Sequence, residues 1–174
     1  MFTQALVKTI LLAAVATAAS LPVRQTTIPT FRLAANVTNF DLTPSIQGQE
    51  LSYTPNADCE ANAIFVPAGQ GAEFYTTGST VDVAHFSGDE ASSAAGLIVT
   101  PGGTATVPSL NTVQLQCQAA TSGVTVADGS LQFQDGFWMA CPRNGSVALS
   151  FKEAGQRTLL GCADVQLLSI SDDV

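Results

Sequence analysis

Apolar side chains recur at every second position through much of this chain, and turn residues cut the alternation into short runs. Val113, Leu115 and Cys117 fall on one side of a run whose other side carries Gln114 and Gln116. Leu131 and Phe133 alternate with Gln132 and Gln134, and Val147, Leu149 and Phe151 alternate with Ala148, Ser150 and Lys152. Phe31, Leu33, Ala35 and Val37 share one face of a further run, with Asn36 on the other. A period of two is the signature of strands with one buried face, because successive side chains leave a strand on opposite sides.

The punctuation agrees with this reading. Asn144-Gly145 tolerates the positive φ of a two-residue hairpin turn, so it joins the runs on either side as a hairpin. Pro101-Gly102-Gly103 reads as a hairpin turn between Leu97-Ile98-Val99 and Ala105-Thr106-Val107. Ala63 to Val66, Glu73 to Thr76 and Thr80 to Phe86 read as further strands, and residues 39–58 as turn-rich. No helical period of useful length follows the first twenty residues. The expectation is an all-β, single-domain antiparallel sandwich or barrel spanning 31–174, preceded by an extended arm over 21–30.

Residues 1–20 read as a signal peptide. Lys8 supplies the positive charge, Thr9 to Val15 the apolar run, and Ala16 to Ser20 the small residues of a cleavage site. The apolar run falls short of the ~20 residues that span a bilayer. The acidic end, Asp172-Asp173-Val174, differs from a lipid-anchor signal, so no membrane anchor is expected. Without Lys8 the chain carries five basic against fourteen acidic residues, net −9. Such a surface repels phosphate backbones, which argues against a nucleic-acid partner.

Four cysteines follow the leader: Cys59, Cys117, Cys141 and Cys162. An even count in a secreted chain reads as two disulfides. Of three possible connectivities, Cys141–Cys162 with Cys59–Cys117 is favoured, because the first pair ties together the elements flanking the densest apolar stretch. That stretch is Gly136 to Pro142, which holds the only Trp. Trp138, Phe137 and Phe133 are the expected centre of the core. No CxxC or CxxH spacing supports a metal site, and no cofactor is implied.

Trp138-Met139-Ala140-Cys141-Pro142, followed by a variable segment and one last Cys, resembles the C-terminal part of fungal phialide cell wall (phiA-like) proteins. Glu73-Phe74-Tyr75-Thr76-Thr77-Gly78-Ser79 is similar, more faintly, to an early strand of that family. The resemblance implies a secreted, glycosylated fungal wall protein without catalytic residues. Two sequons, at Asn36 and Asn144, are the expected glycan sites.

Other candidate sites have plainer readings. His85, the only His, follows Asp82 by three residues, but in a strand those positions face opposite sides. A half-buried strand His is the expectation. Asp89-Glu90 and Asp172-Asp173 are neighbours, whereas glycoside hydrolysis needs carboxyls roughly 5 to 10 Å apart across a cleft. Tyr53, Tyr75, Phe86 and Phe137 together would make a sugar-binding platform, although strand aromatics more often fill the core. Gly69-Gln70-Gly71 and Gly102-Gly103 lack the context of a phosphate loop and read as turns.

The sequence therefore leads to a non-catalytic, secreted structural or surface component of a fungal cell wall. Its expected partners are wall polysaccharide or wall proteins. The alternatives are an extracellular carbohydrate-binding module and a host-directed effector or inhibitor.

Overall fold

The alternating runs form twelve strands in a computed structural model that describes residues 28–86 and 94–171. The signal-peptide reading, most of the N-terminal arm, Asp89-Glu90 and Asp172-Asp173 lie outside the described residues. Along the first half run β1 (Arg32–Asn39), β2 (Glu50–Ala57), β3 (Glu60–Val66), β4 (Phe74–Thr77), β5 (Thr80–Val83) and β6 (Ala95–Ile98). The second half holds β7 (Gln114–Cys117), β8 (Val124–Ala127), β9 (Ser130–Phe133), β10 (Phe137–Arg143), β11 (Ser146–Lys152) and β12 (Ala163–Ile170). Every pairing between them is antiparallel, and no helix occurs among the described residues.

The strands close on themselves twice. Their order is β11-β10-β12-β1-β2-β3-β7-β6-β5-β4, and β3 also meets β11 where Ile64 faces Ala148. That contact closes a six-strand circuit. A second circuit runs from β3 through β7, β6 and β5 to β4, whose Phe74 exchanges backbone hydrogen bonds of 2.8 and 2.9 Å with Phe31, just ahead of β1. Closure satisfies edge groups that an open sheet would leave exposed. The β8–β9 hairpin joins at Ser130, opposite Leu168 of β12.

Burial follows the period of two where one face meets the core. Ala61, Ala63 and Phe65 of β3 point inward, as do Ala163, Val165 and Leu167 of β12. β10 and β11 depart from it: Trp138 to Cys141 and Ala148 to Lys152 are buried without a break. The second face of β10 is covered, since Met139 and Cys141 pack with Cys162 and Leu159 of the segment between β11 and β12, whereas that of β11 is closed at Ser150 by a bridge to Thr112 and at Lys152 by its ion pair with Asp164. A strand covered on both sides reads as a continuous apolar run.

Trp138 is the centre of this region. Its ring lies 5.3 Å from Phe151, edge to face, and Phe151 in turn lies 5.1 Å from Phe133. Gly136 makes room for the cluster, because a Cβ there would fall 2.1 Å from the Phe151 ring. Phe137 does not belong to the core, contrary to the expectation. It is 57% exposed, with Lys152 Nζ lying 5.8 Å from its ring centroid. The strand's own geometry is the cause: with Trp138 pointing in, residues 137 and 139 point out, and only Met139 is covered there.

Cys59 is bonded to Cys117 and Cys141 to Cys162, with Cα separations of 5.2 and 4.4 Å. The first bond ties the β2–β3 turn to the end of β7. The second fastens β10 to the start of β12.

Two stretches differ from the sequence expectation, and a third, a strand, lies where no element is expected. Residues 50–57, within the turn-rich reading, form β2, whose Leu51 and Tyr53 alternate with Ser52 and Thr54. Residues 124–127 form β8, which pairs with β9 through the Asp128-Gly129 turn. Ala105-Thr106-Val107 is not a strand. Pro108 follows directly and has no N–H to give a ladder, so only an isolated bridge from Gly103 to Pro108 forms.

Candidate functional site

β7 begins as a wedge between β3 and β11. Val113 accepts a hydrogen bond from Ala63 of β3 (2.9 Å) and donates one to Leu149 of β11 (2.8 Å). Around this wedge lies a cleft of about 580 Å³. Its lining includes Asn62 and Ile64 from β3, Gln114 from β7, and Ala148 from β11. Thr100, Leu110 and Asn111, from the segment between β6 and β7, and the β10–β11 turn at 143–146 complete it.

The polar groups of the cleft are held in place from behind. Asn56 Nδ2 donates to Asn62 Oδ1 at 3.4 Å and to Glu60 Oε1 at 3.5 Å, and Gln114 Nε2 also donates to Glu60 Oε1. Asn111 Nδ2 donates to the Thr100 carbonyl at 3.1 Å. Arg143, the one cation of the lining, reaches back to the protein: its Nη1 donates to the Leu110 carbonyl at 2.6 Å and to Thr112 Oγ1 at 3.1 Å. Fixed amides and hydroxyls beside apolar Leu110 and Ile64 suit a ligand rich in hydroxyl groups and poor in charge.

The structure separates the other candidates. His85 is exposed and lies beyond the end of β5, not half-buried in a strand. Its carbonyl accepts the Tyr53 hydroxyl at 2.8 Å. Asp82 instead accepts Thr80 Oγ1 at 3.1 Å and stands opposite Tyr75. Burial, with a smaller push from the Asp82 carboxylate, raises the Tyr75 phenol above its ordinary value. At Asp41 the Ser45 hydroxyl holds the carboxyl below the usual range, helped by the Ile46 and Leu42 N–H groups.

The four aromatics do not form one platform. Tyr53 and Phe86 pack together at 5.1 Å against the core, whereas Tyr75 sits on β4 and Phe137 on β10, strands that do not pair with each other. Among the described residues no group of three or more His, Cys, Asp or Glu is placed to hold a metal ion. Gly71 approaches Glu50, whose buried carboxylate accepts its N–H at 2.8 Å and pairs with Arg32 at 3.2 Å. That is a structural contact.

Asn36 is half-buried on β1, its Nδ2 3.5 Å from Gln166 Oε1. Asn144 is exposed at the tip of the β10–β11 hairpin, at φ 49°, and lies on the rim of the cleft. Asn62, Asn111 and Leu110 were not singled out by the sequence reading. The one signal was the outward position of Gln114 in an alternating run.

Fold and site together define a cystine-stapled, all-antiparallel β domain with an open polar cleft. No helix among the described residues is long and apolar enough to cross a membrane. Residues 29–170 match the family described as "Domain of unknown function (DUF7907)", and the chain belongs to that family. No curated protein and no solved structure matches it.

Proposed function

We propose that this chain is a non-catalytic secreted protein that serves as a structural or surface component of a fungal cell wall. The observation that carries the reading is the pair of cystines. Such bonds form and persist in oxidising, extracellular settings and are rare where glutathione keeps thiols reduced. The leader-like start, the exposed sequon at Asn144 and the wall-protein resemblance at Trp138 to Pro142 support it. The cleft favours a second reading, an extracellular carbohydrate-binding module, because its lining is built mainly of amides, hydroxyls and apolar side chains.

Fractionation of a fungal culture that expresses the protein tests the first reading. Antibody detection in the medium and in the wall extract is the expected outcome. Recovery only inside washed cells would overturn it.

A further inference from the structure

We propose that the cleft around Asn62, Asn111 and Gln114 binds a neutral polysaccharide chain. The inference rests on the extracellular reading only for the source of that chain; the site itself stands on the geometry.

Each of the three amides is anchored by one half and offers the other. Asn62 uses Oδ1 to accept from Asn56, leaving Nδ2 as a donor. Gln114 uses Nε2 on Glu60 and Asn111 uses Nδ2 on the Thr100 carbonyl, leaving an acceptor oxygen on each. Among the described residues no protein group takes up these three atoms. Sugar hydroxyls both donate and accept, so one face of a pyranose chain satisfies a donor and two acceptors together. Because the amides are already fixed, little side-chain freedom is lost on binding.

Hydrogen bonds within the protein occupy the charged side chains at the cleft without removing the charge of Arg143, so an anionic chain is the competing occupant that the polygalacturonate arm distinguishes. Arg143 is turned onto Leu110 and Thr112, and Glu60 is occupied by Asn56 and Gln114. The chain's net charge of −8 disfavours an anionic polymer. Leu110, 58% exposed, and Ile64 give the C–H faces of a sugar ring an apolar surface. The volume of about 580 Å³ lies within the ~300–1,000 Å³ usual for ligand clefts.

Retention of the purified secreted chain, with and without its N-glycans, on insoluble β-glucan, chitin and polygalacturonate tests the proposal. Both forms are needed because Asn144 stands on the rim. Retention of either form on β-glucan or chitin is expected, and which polymer retains it identifies the source. Asn111→Ala and Leu110→Asp, both at exposed positions, are each expected to weaken binding about tenfold. Gln132→Ala, on β9 outside the cleft, is expected to bind as the parent does, and matching circular dichroism and melting curves establish that all variants fold. No retention on either neutral polymer, retention on polygalacturonate alone, or unaltered binding by both cleft variants would overturn the proposal. Wall localisation without retention removes the cleft inference alone. Retention by a protein found only inside cells removes the wall reading alone.

Discussion

Trp138 donates its indole N–H to the backbone carbonyl of Leu131 at 2.8 Å, with both residues buried. The bond links β10 to β9 across the turn at Gln134-Asp135, so the largest side chain of the core also fixes where the β8–β9 hairpin lies. Trp138→Phe would leave that carbonyl buried without its donor and open space beside Phe151. The expected loss is about 2–3 kcal/mol, measured as a fall in the urea midpoint with an unchanged slope.

The two cystines close loops of different length, 21 and 58 residues in sequence separation. Chain entropy assigns about 3 kcal/mol to the shorter and about 4 kcal/mol to the longer. Cys141→Ala with Cys162→Ala, and Cys59→Ala with Cys117→Ala, are expected to lose stability in that order in denaturant titrations.

Lys152 and Asp164 form a nearly buried ion pair at 2.7 Å, with side chains 10% and 15% exposed. Thr158 completes it, accepting from Lys152 and donating to Asp164. Removing one partner leaves a charge with poor solvation, so Asp164→Ala is expected to cost about 2–3 kcal/mol. The double variant Lys152→Met, Asp164→Leu is expected to recover much of that loss. A double-mutant cycle by urea denaturation measures the coupling.

Much of the fold was legible because local pattern and tertiary environment agree. Val113 and Leu115 point inward beside outward Gln114, and Asn144-Gly145 makes the turn its chemistry demands. β2 was hidden because Pro55, Asn56 and Asp58 read as turn residues, although they crowd only the strand's end next to the Cys59 turn. Phe137 was misplaced because an apolar run does not say which of its faces is covered. The cleft was beyond reach for a different reason: Asn62, Asn111 and Asn144 meet only because Val113 wedges between strands distant in sequence.

Tyr75 provides a pH test. Its phenol is raised above the ordinary value of about 10 by burial first and by Asp82 second. The folded state therefore holds this proton more tightly than the unfolded state. Its contribution to stability is complete below the unfolded value and is lost as pH rises through the folded one. In a Tyr53→Phe background, phenolate absorbance is expected to report a single tyrosine titrating late. Adding Asp82→Asn is expected to move that titration down without returning it to the ordinary value.

The most direct test of the extracellular account is the intact mass of the protein, taken separately from culture medium and from wall extract, with and without N-glycosidase and reductant. The account requires enrichment in the wall fraction, loss of mass on glycosidase treatment, and a gain of four hydrogens on reduction as both cystines open. A protein with free thiols and no glycan would contradict it, and the wall reading would fall.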